Sequence, residues 1–253
     1  MEQLVKTEMC GHHVVITMNN PKALNQLSLK MMDELESAFT WARDYDDIHS
    51  IALFGEEVFS AGARIQELHE VASTRDPLAI KTFIARANRM ANLIENVGKP
   101  TTAVIRKYCF GGGNELAMAC EDRTLSGYAK FGQQEIKHGI MPGMGGTQRL
   151  PRLVGIKAAM PILLSGEIFS DEEAVKIGLV DTPGPACFYP HEDGCVTPYI
   201  VEDHLNRFLQ SERYEEIIRS TEFPEASSAI IEAVREGMKR PLREGLEIEQ
   251  AGG

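Results

Sequence analysis

Residues 110–155 read FGGGNELAMACEDRTLSGYAKFGQQEIKHGIMPGMGGTQRLPRLVG, a stretch in which glycine clusters alternate with acidic residues set among apolar neighbours. Gly111-Gly112-Gly113 precedes Asn114-Glu115-Leu116-Ala117-Met118-Ala119-Cys120, a short segment of strong helix propensity. Glycines just before a helix leave backbone N–H groups pointing outward, with the positive end of the helix dipole behind them. The triplet therefore fits an anion or oxyanion site, and it also fits a tight strand-to-helix turn. Glu115 falls on the first turn of this helix, and Glu135 follows 20 residues later (135 − 115) in Phe131-Gly132-Gln133-Gln134-Glu135-Ile136. Two carboxylates in apolar company beside glycine turns fit a general acid/base pair, with burial raising at least one pKa. The alternative places Glu115 on the helix dipole and Glu135 in solvent, and spacing alone leaves both open.

Outward from this stretch, the pattern is strands alternating with helices. Val14–Met18, Ile51–Phe54 and Thr102–Ile105 are short β-rich runs. Between the first two, Ser28 caps a helix whose apolar stripe is Met31, Met32, Leu35, Ala38, Phe39 and Ala42. Asp76-Pro77 opens a second helix with an N-cap and a proline at the first helical position. Its stripe runs Ile80, Phe83, Ile84, Ala87, Met90, Ala91, Ile94, and Gly98 with Pro100 closes it. This alternation implies an α/β core. From about residue 150 the chain becomes mainly helical: Ser170-Asp171-Glu172-Glu173 is a capping box stopped by Gly178, and a last helical region begins after Pro224. The division read from this is a core with its first C-terminal helices over 1–182, a turn-rich surface loop over 183–198 and a helical region over 199–253.

The chain has 253 residues, 43% of them hydrophobic and 25% charged, the composition of a globular protein with room for a sizeable core. Lys plus Arg number 26 against 37 Asp plus Glu, a net charge of −11 that argues against nucleic acid or an anionic membrane as the partner. No apolar run is long enough for a transmembrane helix. The start Met1–Lys6 lacks the basic and apolar regions of a signal peptide, so a cytoplasmic location is expected. The five cysteines are scattered, and Cys109 and Cys120 read as reduced core residues. Nucleotide and nucleophile signatures are missing: Gly143-Met144-Gly145-Gly146-Thr147-Gln148 puts Gln where a dinucleotide fingerprint needs its third glycine, and there is no Gly-x-Ser-x-Gly elbow. Cys187, His191, Asp193 and Cys195 place four potential ligands in one loop, but a Cys-x7-Cys spacing is not a usual zinc pattern, so no metal is expected. His12, His13 and His138 read as structural or surface residues.

The 110–155 stretch closely resembles the crotonase (enoyl-CoA hydratase/isomerase) superfamily. The resemblance is collinear over roughly residues 5–250. It includes Asn20-Pro21-Lys22-Ala23-Leu24-Asn25, similar to the family's coenzyme A-contacting segment, and Phe59-Ser60-Ala61-Gly62-Ala63, similar to its first oxyanion-hole loop. Leu164–Ile168 and Ala174–Val180 fit the helical part that follows. It implies a spiral of ββα units with a helical C-terminal region, assembled as a trimer or a dimer of trimers. It also implies an acyl-CoA thioester substrate and no cofactor beyond the coenzyme A that the substrate carries.

Carried over residue by residue, the resemblance makes Ala63 and Gly112 the two oxyanion-hole donors, which stabilise negative charge on the thioester enolate. Gly111, Ala63, Arg64, Ile65 and Gln66 line the acyl and pantetheine path, and Lys22, Ala23 and Leu24 lie near the CoA nucleotide. Glu115 and Glu135 fall on the two catalytic glutamates, and relatives that only isomerise a double bond commonly lack one of them. The expected activity is therefore hydration of the 2,3 double bond of an enoyl-CoA. Double-bond isomerisation and hydration of a cyclic dienoyl-CoA are the alternatives within the fold, and a non-catalytic or RNA-binding relative is the alternative outside it. Three departures stand out. Arg64 replaces a frequent Asp, fitting an unusual acyl group, a CoA phosphate or a subunit contact. Gln134 replaces a common Pro. The chain ends at Ala251-Gly252-Gly253, where relatives continue through a helical stretch, so either the end is truncated or the cover comes from elsewhere.

Overall fold

The computed structural model describes residues 3–181 and 198–252. Its sheet begins with a hairpin, β1 (Val5–Cys10) against β2 (His13–Met18), in which Cys10 pairs with His13. Gly11, with φ +64°, takes the first turn position, where a two-residue hairpin loop favours glycine. The chain then crosses over through α1 (Leu29–Asp44) to β3 (Ser50–Gly55), which lies parallel to β2. A longer crossover through α2 (Ile65–Ser73) and α3 (Pro77–Glu95) returns it to β4 (Thr101–Phe110), parallel to β3. Next, α4 (Gly112–Met118) leads into β5 (Asp122–Gly132), parallel to β4. The six strands lie in chain order, closed by β6 (Phe169–Ser170) antiparallel to β5.

The sequence signals for α1 and α3 hold in detail. Ser28 Oγ accepts a hydrogen bond from Met31 N, and all six residues of the α1 stripe are buried. Asp76 caps α3 through Leu78 N. Five of the seven stripe residues of α3 are fully buried, while Ile80 and Ile84 are half-buried at its margin. Strands β2 and β3 alternate buried and half-buried residues along their length, as strands covered unequally on two faces do. Their inward residues Ile16, Met18, Ile51 and Leu53 pack with Phe39, Leu35 and Met31 of α1. Fully burying side chains of this size contributes roughly 1.5–3 kcal/mol each.

Two strands depart from the sequence reading. Strand β4 continues past Ile105 to Phe110, across a register shift between Ile105 and Lys107, where Lys107 takes φ +54°. That extension carries the chain to Gly111. Strand β5 carries little apolar alternation: Arg123 is buried, Ser126, Gly127 and Tyr128 are exposed, and only Ala129, Phe131 and Gly132 restore a buried edge.

The helical region comprises α5 (Gly146–Val154), α6 (Ile156–Ser165), α7 (Asp171–Lys176), α8 (Pro198–Leu209), α9 (Glu212–Ser220), α10 (Pro224–Gly237) and α11 (Leu242–Gly252). Ser170 caps α7 through Glu173 N, and Gly178 follows with φ +79°, as the capping box implies. Helix α5 packs on α6, α10 and α11, so the C-terminal helices reach back to residues 146–154. Among the described residues no helix is long and apolar enough to cross a membrane. The proposed surface loop over 183–198, with Cys187, His191, Asp193 and Cys195, lies outside the described residues apart from Pro198, where α8 begins.

Candidate active site

The site forms where the crossover loop after β3 meets the end of β4. Phe59 N donates to Arg106 O, Ser60 N to Tyr108 O and Phe110 N to Ser60 O, so residues 59–60 run alongside the end of β4. Beyond them, Leu27 N donates to Gly62 O and Arg64 N to Leu27 O, which pins Gly62 and Ala63 against the segment entering α1. The Ala63 N–H points away from that segment. A methyl group on Gly112 would stand 3.5 Å from the Ala63 nitrogen and 3.3 Å from Leu27 Cδ1. The N–H groups of Ala63 and Gly112 therefore lie close to one another, and no other group takes either of them among the described residues. Gly62 is needed for this approach: with φ +89°, a Cβ there would lie 2.7 Å from Phe110 O and 3.2 Å from Gly112 N.

Both glutamates come to the same place. Glu115 is 2% exposed, and its Oε1 accepts the N–H groups of Met144 (2.9 Å) and Gly146 (2.7 Å). Its Oε2 would lie 3.9 Å from a methyl group on Gly112. Glu135 opens a 3-10 turn, Glu135–His138, and its Oε1 would lie 3.0 Å from a methyl group on Gly111. Both Glu135 carboxylate oxygens are buried, and neither accepts a hydrogen bond from another of the described residues. Gly111 itself takes φ +48° and donates to Gly132 O, which ties the turn to the strand that leads to Glu135.

The electrostatics follow from this burial. Desolvation pushes Glu115 well above the ordinary carboxylate range; Glu135 and Glu249 push it the same way, against the two amide donors. Burial raises Glu135 to about 7, with its own backbone N–H lowering it and Glu249 raising it. Both carboxyls are therefore raised, by burial first, so their neutral forms are favoured relative to an exposed glutamate. The buried thiols of Cys109 and Cys120 are raised by desolvation, Cys120 to about 12, so neither supplies a thiolate.

The other expected residues sit around this centre. Lys22 and Leu24 are exposed and Ala23 half-buried on a 3-10 turn, Pro21–Ala23, and Leu24 O accepts Ala61 N. Asn25, buried with φ +50°, locks this turn to the oxyanion loop. Its amide nitrogen donates to Val58 O and Glu56 O, its Oδ1 accepts Asn20 N, and its backbone carbonyl accepts Ser60 Oγ. Arg64 is half-exposed and pairs with Glu67 at 3.3 Å within its own chain, while Ile65 is half-buried and Gln66 exposed at the start of α2.

Three buried polar residues escape the sequence reading. Gln133 has both ends of its side-chain amide buried without a hydrogen-bond partner among the described residues, and its Nε2 would lie 2.4 Å from a Cβ on Gly146. Arg149 donates to Met144 O from one side and to Glu95 and Asn92 of α3 from the other. Glu249 of α11 is 1% exposed and lies beside the same loop. The only sequence signal for Glu249 is its position on the buried face of α11, three residues after Leu246 and four after Gly245.

A short helix whose first N–H has no partner among the described residues lies beside a second such N–H and two carboxylates at adjacent glycines. Residues 12–187 match the model of the enoyl-CoA hydratase/isomerase family, and the chain belongs to this family, the crotonase superfamily. It is 41% identical over 177 residues to a probable enoyl-CoA hydratase of Mycobacterium bovis, a match covering 68% of this chain and 65% of that protein. It is 37% identical over 169 residues to a crotonyl-CoA hydratase of Syntrophomonas wolfei, covering 66% and 64%. The chain thus spans just under two thirds of the length of these relatives. In fold it is similar to the enoyl-CoA hydratase of Bacillus anthracis (TM-score 0.67, 26% identity, 99% of this chain and 89% of that one). The enoyl-CoA hydratase of Thermoplasma volcanium compares equally well (TM-score 0.68, 26% identity, 99% and 91%). The expected α/β fold with a helical C-terminal region is the fold observed.

Proposed function

We propose that this protein is an enoyl-CoA hydratase, adding water across the 2,3 double bond of an enoyl-CoA thioester. The observation that carries the reading is the convergence of two free N–H groups, on Ala63 and Gly112, with two buried carboxylates at Gly111 and Gly112. The thioester oxygen sits between the two N–H groups, which meet the charge that develops there as the enolate forms. Water lies between Glu115 and Glu135; the ionised member of the pair takes its proton as oxygen attacks C3, and the protonated member delivers a proton to C2. That division of labour needs one proton on the pair near neutral pH, which raised carboxyl pKa values supply. Lys22, Ala23 and Leu24 lie toward the nucleotide end of coenzyme A, and Arg64, Ile65 and Gln66 border the acyl and pantetheine path. Acid–base chemistry of this kind needs no further cofactor.

The test is a spectrophotometric screen of short, medium, branched and cyclic enoyl-CoA thioesters, following loss of the conjugated thioester absorbance. Turnover of at least one of them, lowered ~10²–10⁴-fold in Glu115→Gln and in Glu135→Gln, is the expected result. Product analysis separates hydration from double-bond migration, and migration alone would overturn the reading. The assembly proposed is a trimer or a dimer of trimers, which light scattering on the purified protein decides.

A further inference from the structure

We propose that Glu249, on α11, is the positioning residue that fixes Glu115, acting through the backbone of residues 144–147. Four successive amides of this segment donate alternately to two carboxylates. Met144 N and Gly146 N go to Glu115 Oε1 at 2.9 and 2.7 Å; Gly145 N goes to Glu249 Oε1 at 2.5 Å and Thr147 N to Glu249 Oε2 at 2.8 Å. The Thr147 hydroxyl donates to Glu249 Oε2 as well. The segment is therefore gripped on one side by the residue proposed to do chemistry and on the other by a residue 134 positions further on (249 − 115).

The grip has little freedom. Gly145 takes φ +100°, and a Cβ on Gly146 would lie 2.9 Å from Glu115 Oε1, so the segment runs too close to that oxygen to carry a side chain there. Helix α11 approaches closely because Gly245 has no side chain: a Cβ there would stand 2.4 Å from Gln148 Oε1. Three donors converge on the two Glu249 oxygens, an arrangement that suits a carboxylate. Burial raises the Glu249 carboxyl, while the Thr147 hydroxyl, the Gly145 and Thr147 amides and Arg149 of α5 act the other way; Glu115 of α4 and Glu135 of the 3-10 turn are in turn pushed upward by its charge. Tying a helix to a loop does not require a buried charge, and apolar packing generally does so at lower cost. A carboxylate here does what apolar packing does not: it aligns the Gly145 and Thr147 N–H groups on one side, which leaves those of Met144 and Gly146 aimed at Glu115.

This inference rests on the hydratase reading for its kinetic consequence, and its test separates the two. In the full chain, Glu249→Ala is expected to lower kcat by ~10²-fold, the scale on which misplacing a reacting group by about 1 Å acts. KM should stay within about twofold, since the thioester donors and the CoA-side loop are untouched. Glu249→Asp keeps the charge at shorter reach and should recover part of the loss; Glu249→Gln should recover less, because its NH2 group opposes an N–H donor. Hydrogen exchange followed by mass spectrometry reads the grip without turnover: the amides of 144–147 should exchange faster in Glu249→Gln than in the wild type. Wild-type kcat in a folded Glu249→Ala enzyme, measured well below its melting temperature, would overturn the positioning role. If Glu249→Ala does not fold, unchanged kcat and unchanged exchange in Glu249→Gln overturn it. Should the wild type turn over no enoyl-CoA, the hydratase reading falls, and the exchange result alone decides whether Glu249 holds the segment that holds Glu115.

Discussion

Glu115 and Glu135 both bring buried carboxylate oxygens to the same glycine turn, yet their surroundings are opposite. Glu115 stands on a helix, with one oxygen fixed by two backbone amides and the other turned toward Gly112. Glu135 stands at the head of a 3-10 turn, with two buried oxygens and no donor from another of the described residues. Burial raises both carboxyls, but only one is aimed by the backbone. The difference shows that a pair meant to share a proton need not be symmetric: one member is held in place, while the other is left to the substrate and water to satisfy.

The strongest way to break this pairing is to remove one carboxylate at a time. Glu115→Gln and Glu135→Gln should each lower kcat by ~10²–10⁴-fold, the usual share of a general acid or base. The double variant should lose far less than the product of the two, because both act on one water and one double bond. Near-wild-type turnover in either single variant would remove that residue from the chemistry.

Gly112→Val tests the donors rather than the carboxylates. The new side chain starts 3.3 Å from Leu27 Cδ1 and 3.5 Å from Ala63 N, so it fills the space where the thioester oxygen would sit. Loss of one oxyanion donor costs ~10²–10³-fold in kcat, and a steric block should cost at least that. Coenzyme A affinity, measured by calorimetry, should persist, and a thermal melt separates a blocked site from an unfolded one.

The contrast is sharpened by stability against pH. Glu135 is raised to about 7 in the folded protein, against an ordinary value of 4.5. Between those values the folded state binds more protons than the unfolded one, so this group's contribution is full below pH ~4.5 and is lost as pH rises through about 7. Glu135→Gln removes that loss. Its stability relative to the wild type should therefore grow from pH 5 to pH 8, by roughly 2–3 kcal/mol for a shift of this size. Urea melts at the two pH values check it, and a constant difference would mean that Glu135 is not raised.

The smallest effect is expected at Arg64, whose half-exposed pairing with Glu67 contributes ~0–1 kcal/mol to stability. Arg64→Ala should leave the melt and kcat nearly unchanged and raise KM for the acyl-CoA. An unchanged KM would place Arg64 outside the substrate path.

What could be read from the sequence follows the range of the forces involved. The α1 stripe was legible because six apolar residues at helical spacing have one physical explanation, and all six are buried. Strand β5 was not legible, since a strand that buries Arg123 and exposes Tyr128 carries no clean alternation. Glu115 and Glu135 stood out through family resemblance, while composition alone left Glu135 free to be solvated. Glu249 was invisible for a different reason. Its three donors come from residues 102 and 104 positions away, and nothing local marks a glutamate as the partner of a distant loop.

The buried Asn25 has a consequence for protein engineering. Its side chain and carbonyl bind Asn20, Glu56, Val58 and Ser60 at once. Residues 20–27 and 56–63 are thereby one inheritance unit in space, although α1 and β3 separate them in the chain. A chimera with a crossover between them would mate an amide from one parent with carbonyls placed by the other. Libraries recombining this chain with its relatives should keep both segments from a single parent and diversify α2, whose exposed residues make few such bonds.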